Sequence, residues 1–204
     1  MTGLEMPMET KRMSSGGPTM RSRACLPAAG VADGGVALSD LKHVTIYTDG
    51  ACVGNPGPGG YGVVLIYKGR RRESSGGFRR TTNNRMEILA AIAGLEALRE
   101  RCRVTIHSDS KYLVDAVEKG WARKWKANGW RRNRKEMALN PDLWERLLNL
   151  CDHHEVQFKW VRGHAGNTEN ERCDYLSIES ARQPQLPADE GYEAPQRNRA
   201  EARS

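Results

Sequence analysis

Apolar and polar positions alternate between residue 43 and about residue 80. His43–Cys52 and Gly60–Tyr67 carry the β-branched and aromatic residues of strands, and the Gly54–Gly60 cluster between them reads as a turn. A third strand around Arg72–Arg79 completes an antiparallel meander. The period then lengthens. Met86, Leu89, Ala90, Ala93 and Leu98 recur at three- and four-residue steps and predict a helix from Asn84 to Arg101, capped by Thr82 or Asn83. Val104–Ser108 follows as a strand, Lys111–Lys119 as a short helix, and Pro141–Cys151 as a helix with proline in its first turn. Val156–Val161 is another strand, and a last helix runs from about Thr168 to Arg182. Three hairpin-linked strands followed by alternating helices and strands predict an α/β domain. Its five-stranded mixed sheet, an antiparallel meander and then parallel strands, is flanked by helices.

Both ends break the pattern. Residues 1–40 hold five of the seven methionines, six glycines and three prolines without one aromatic residue, so they are expected to form a disordered leader. Residues 183–204, with Pro184, Pro187 and Pro195 among Gln, Glu and Arg, offer no apolar face and are expected to be a disordered tail. The catalytic unit is therefore placed at 41–182.

Composition narrows the class. A chain of 204 residues with 38% hydrophobic content fits one core with tails. Thirty-two Lys and Arg against 25 Asp and Glu favour a polyanionic partner modestly. The five cysteines, at 25, 52, 102, 151 and 173, form no CxxC pair and read as reduced thiols of a cytoplasmic protein. No apolar run approaches the roughly 18 residues of a membrane span, and no membrane partner is expected. Residues 119–135 concentrate eight Lys and Arg with no acid and hold Trp121, Trp125 and Trp130. Trp121 and Trp125 lie one helical turn apart, and such a strip, with Lys124 and Lys126, suits phosphates and sugars of a nucleic acid.

Four acids carry the candidate chemistry. Asp49 and Asp109 each end a strand, in Tyr47-Thr48-Asp49-Gly50 and Ser108-Asp109-Ser110. Glu87 lies early in the long helix, beside its apolar face, and Asp174 lies inside the last helix. Each alone has an ordinary explanation: Glu87 could complement the positive end of its helix, and Asp49 could cap the turn into Gly50. As a set on converging elements they would repel one another without bound cations. Hard oxygen ligands select Mg²⁺ or Mn²⁺.

Those segments, with Gly54–Gly62, Thr81–Glu87, Val161–Gly166 and Asn170–Asp174, resemble in order and spacing the successive motifs of bacterial type 1 ribonuclease H, over about residues 43–182. The resemblance implies a ribonuclease H-like fold with a basic helical protrusion at about 119–135. It implies a monomeric endonuclease that cuts the RNA strand of RNA–DNA hybrids by two-metal-ion catalysis, leaving 5′-phosphate and 3′-hydroxyl ends. Two Mg²⁺ ions, replaceable by Mn²⁺, would sit on Asp49, Glu87, Asp109 and Asp174, with His164 assisting. Cys52, Asn55, Asn84 and Lys111 would follow the RNA, and Thr82 and Asn83 a phosphate of the DNA strand. Trp121, Lys124, Trp125, Lys126 and Trp130 would form the basic handle. Three positions depart from the family pattern: Ser108 in place of Thr, Lys111 in place of Gln, and Tyr175 after Asp174. A non-catalytic hybrid-binding module would lack one of the four acids. A related nuclease acting on DNA would have no use for the 2′-hydroxyl-facing residues.

Overall fold

The computed structural model describes residues 41–201, with side chains described through residue 196. The expected leader lies outside the described residues. Five strands, β1 (Lys42–Cys52), β2 (Gly57–Tyr67), β3 (Arg70–Thr81), β4 (Cys102–Ser108) and β5 (Glu155–Trp160), form one sheet in the order β3-β2-β1-β4-β5. β1, β2 and β3 pair antiparallel as the meander, and β4 joins β1 and β5 in parallel register. The described helices are α1 (Asn83–Glu96), α2 (Lys111–Glu118), α3 (Trp121–Ala127), α4 (Pro141–His153), α5 (Thr168–Ala181) and α6 (Glu190–Glu201). None is long and apolar enough to cross a membrane. The fold class predicted from periodicity is the one observed.

The core lies between the sheet and α1, α2 and α4, where Ile46, Val63, Met86, Ile92, Ile106, Leu113, Trp144 and Leu147 are buried together. Glycine decides how closely two helices approach the sheet. A Cβ on Gly50 would stand 2.3 Å from the Glu87 amide nitrogen, so the start of α1 rests directly on β1. On the other face, a Cβ on Gly60 would meet the Ser177 carbonyl at 2.3 Å and one on Gly62 the Cys173 carbonyl at 2.2 Å. α5 therefore lies backbone to backbone on β2. β2 starts at Gly57 and not at Gly60 because Gly57 pairs with Thr81 of β3 and Gly59 with Cys52 of β1. Its glycines form a ladder under a helix as well as part of a turn.

The expected tail requires correction. Residues past α5 run along the open edge of β3, where the Pro187 carbonyl accepts the Arg79 amide at 2.9 Å. Asp189 is buried, accepts the Thr81 hydroxyl at 2.6 Å, and holds the Arg85 guanidinium at 2.7 and 2.8 Å. Arg85, itself buried, also donates to Asp142 at the start of α4, at 2.7 and 3.0 Å. Arg79 pairs with Glu193 on α6. The anchor is polar, so apolar periodicity carried no trace of it. What it satisfies is a buried cation and an unpaired strand edge.

Removing one partner of a buried ion pair strands the other charge, at a cost of about 3 kcal/mol or more. Asp189→Ala should therefore lower the unfolding free energy by roughly that amount. Urea denaturation checks this, and a midpoint equal to wild type would refute the clasp.

Candidate active site

Asp49 and its cross-strand neighbour Gly62 face α5, while Gly50 faces α1. Asp49 is buried, and one carboxylate oxygen accepts the Gly50 amide at 2.8 Å. Asp49 lies inside β1, three residues before its end and not at the strand terminus that the sequence predicts, while Asp109 stands just past the end of β4. The parallel register Thr48↔Ser108 brings the two acids side by side. α1, seated on Gly50, brings Glu87 to the same edge. Glu87 lies past the first turn of α1, so it does not serve the helix terminus. Asp49, Glu87 and Asp109 each offer an oxygen within 4.8 Å of the others. Asp174 lies outside that group of three but close enough to Asp49 to raise its pKa through space and through a side-chain hydrogen bond.

The electrostatics follow from this crowding. Burial, and then the Asp109 and Asp174 charges, push the Asp49 carboxyl up to about 7 against the Gly50 amide's opposing pull. Burial, and then Asp49 and Asp109, hold Glu87 well above the usual carboxylate range. One Glu87 oxygen, Oε2, is shielded from solvent with no hydrogen-bond partner. An all-carboxylate donor set with an orphaned oxygen fits a hard divalent cation.

His164 is exposed and holds φ 51°, one residue after Gly163, whose Cα side packs on the Asp109 carboxylate. Tyr175 is exposed, and the Arg172 guanidinium lies over its ring at 5.0 Å. Glu73 holds Arg172 by two bonds of 2.9 Å, which ties Tyr175 toward β3. The loop between β1 and β2 is closed by the Val53 amide on the Pro58 carbonyl at 2.7 Å, and Asn55 accepts the Asn83 amide at 3.3 Å. Thr82 is the N-cap of α1 but makes no side-chain capping bond, and the first helical amide, that of Asn83, is taken by Asn55 from the neighbouring loop. Asn83, Asn84 and Lys111 are exposed and Cys52 is half-buried.

Trp121 and Trp125, one helical turn apart, line the same cleft at different depths. Trp121 is 39% exposed, whereas Trp125 is 8% exposed and packs on Tyr112 and Trp144 at ring distances of 6.4 and 5.9 Å. Trp130, half-buried, ties its backbone to Trp125 and Ala138 and anchors the turn at 131–137. Lys126 is drawn onto α4 by Asn149 at 3.1 Å and Glu145 at 3.7 Å. A cleft of about 570 Å³ remains, lined by Asn84, Trp121, Lys124 and Arg132 over a floor of Tyr112 and Trp125. Sequence reasoning missed Asn170 as a site residue. It is buried on α5 and donates to Asp109 at 3.1 Å.

Residues 41–182 match the sequence model of the family described as RNase H. The chain is 67% identical over 151 residues to ribonuclease H of Desulforamulus reducens, covering 74% of this chain and 95% of that one. It is 59% identical over 155 residues to ribonuclease HI of Synechocystis, covering 76% and 97%. Among solved structures, LC9-RNase H1, a type 1 RNase H with the type 2 active-site motif, is similar at TM-score 0.62 and 34% identity, covering 69% of this chain and 72% of that one. LC11-RNase H1, solved in complex with RNA/DNA hybrid, is similar at TM-score 0.53 and 25% identity, covering 68% and 96%.

A raised carboxyl pKa means the folded state binds protons more tightly than the unfolded chain, so metal-free stability falls as pH rises from about 4 through about 7. Thermal melts in chelator should show that decline. Asp49→Asn should flatten it and raise the melting temperature at pH 8 by a few degrees, while Mg²⁺ should raise wild type more at pH 8 than at pH 5. A wild-type melt that rises with pH across this window would contradict the crowded-acid account.

Proposed function

Because this chain belongs to the ribonuclease H family and hydrolyses the RNA strand of RNA–DNA hybrids, we propose that Asp49, Glu87, Asp109 and Asp174 carry the reaction by holding two Mg²⁺ ions, with Mn²⁺ as a substitute. The observation that carries this reading is the convergence of three carboxylates within 4.8 Å with Asp174 beside Asp49. Asp49 would serve both ions, Glu87 and Asp109 the one on the side of the attacking water, and Asp174 the one on the leaving-group side. The ions held there would supply a nucleophile at neutral pH and neutralise charge on the leaving oxygen, consistent with 5′-phosphate and 3′-hydroxyl ends. The acids place that charge without donating protons of their own. His164, exposed beside the cluster, carries a proton between solvent and the site and helps product leave.

Choice of RNA requires contact with the 2′-hydroxyl. The Cys52–Asn55 backbone with Asn55, Asn84 and Lys111, of which Asn55, Asn84 and Lys111 are exposed, would provide the donors and acceptors for that contact. The uncommitted Thr82 hydroxyl, with Asn83, suits a phosphate of the DNA strand. Trp121 and Lys124, in the cleft that begins at Asn84, extend that contact along the backbone. Trp125 and Trp130 support the wall of the cleft, and Lys126 contributes charge from behind it. All these features stand on one chain, which supports action as a monomer. Residues 41–182 then form the catalytic domain. Cys52, Cys102, Cys151 and Cys173 are free thiols, in keeping with the cytoplasm.

Labelled hybrid, duplex RNA and duplex DNA separate the readings. Asp109→Asn should lose about 10³-fold in turnover on hybrid, equivalent to several kcal/mol of charge stabilisation. His164→Ala should lose about 10²-fold. Equal cutting of duplex DNA, or an active Asp109→Asn, would exclude this function. In the cleft, Lys124→Glu should raise the KM for hybrid and flatten its salt dependence by about one unit of slope, with a smaller effect from Lys126→Glu. Identical salt slopes for wild type and Lys124→Glu would remove the cleft from the substrate path.

A further inference from the structure

Asn170 is 2% exposed, and nothing in its position near the start of α5 requires an amide for helix capping. That task falls to Asn167, whose side chain accepts the Asn170 backbone amide at 3.1 Å. The Asn170 side chain instead donates Nδ2 to Oδ2 of Asp109 at 3.1 Å. Its own Oδ1 is shielded from solvent and has no partner. The amide cannot be turned round, because Oδ1 would then face Oδ2 of Asp109, acceptor against acceptor. A buried acceptor without a partner weakens a fold. An apolar side chain of similar volume would fill the same space without that penalty, so packing does not account for the asparagine.

Asp109 is pinned from three directions. Asn170 and the close-packed Gly163, where a Cβ would stand 2.6 Å from Oδ2, enclose one carboxylate oxygen. Trp160 donates its indole N–H to the Asp109 backbone carbonyl at 3.0 Å. Asn170 also lies four residues before Asp174, so one face of α5 presents the amide to Asp109 and the acid to Asp49. A single helical turn thereby sets Asp174 relative to the group of three.

We propose that Asn170 is the positioning residue of the acid cluster: its amide fixes the Asp109 carboxylate and locks α5 to the end of β4, so that all four acids meet a divalent cation in one arrangement. This rests on the metal-binding reading above. Asn170 itself touches neither cation nor substrate and acts through Asp109.

The test measures Mn²⁺ binding by calorimetry without hybrid, together with cleavage kinetics, for wild type, Asp109→Asn, Asn170→Leu and Asn170→Ala. Both Asn170 variants should weaken Mn²⁺ binding about 10-fold. At saturating metal the hybrid KM should stay unchanged and kcat should fall. Asn170→Leu should melt at or above the wild-type temperature and Asn170→Ala below it, so equal metal weakening in two proteins of different stability would identify orientation as the cause. Wild-type metal affinity in either folded variant, or a loss of affinity that tracks melting temperature, would overturn the proposal. If wild type and Asp109→Asn bind Mn²⁺ alike, the metal reading fails and this role fails with it. If Asp109→Asn alone weakens binding, only the role of Asn170 is lost.

Discussion

Like charges forced together by backbone packing are the constraint on which the rest of this molecule depends. At an effective dielectric near 20, two ionised carboxylates within 4.8 Å of each other repel by roughly 3 kcal/mol or more. Three such pairs approach the whole stability of an ordinary domain, about 5–15 kcal/mol. The chain cannot relieve this by letting the helices drift. Gly50 admits α1 and Gly60 and Gly62 admit α5 to backbone contact with the sheet, and neither helix can shift without losing that contact. Protons relieve the strain in the absence of metal: burial first, and then the neighbouring charges, raise the pKa of Asp49 and Glu87. Divalent cations relieve it while keeping the acids ionised.

A second buried charge is handled in the opposite manner. Arg85 lies two residues before Glu87 and is neutralised within the protein by Asp142 and Asp189. Three distant segments, the start of α1, the start of α4 and the chain beyond α5, are thereby joined at one guanidinium. The same helix start thus carries a cation whose counter-charges are supplied internally and an anion whose counter-charge must come from outside. That asymmetry separates a structural ion cluster from a site prepared for metal.

The basic protrusion shows a related division of labour. Tyr112, Trp125 and Trp144 form an aromatic joint that seats α3 on the core. That joint makes Tyr112 and Trp125 the floor of the cleft, and Trp121 and Lys124 line its more exposed part. Rigid aromatic packing behind the cleft and charge along its rim are what a polyanion-binding surface needs.

Strand alternation, the change to helical period after Thr82 and the acids near strand ends were legible in the chain, because each is a local property with a short repeat. The five strands, their mixed pairing and the convergence of Asp49, Glu87 and Asp109 follow that reading closely. Local pattern could not say which of two tryptophans a turn apart would be the more deeply buried, since both satisfy the same helical spacing. Nor could it find the clasp around Asp189 or the Asn170 amide on Asp109, whose partners lie 104 and 61 residues away. By itself the sequence determined the elements, the fold class and the acids available for metal. Only the tertiary structure decided which polar groups were buried against one another, because the cost of burying a polar group depends on the partner that meets it and not on its neighbours along the chain.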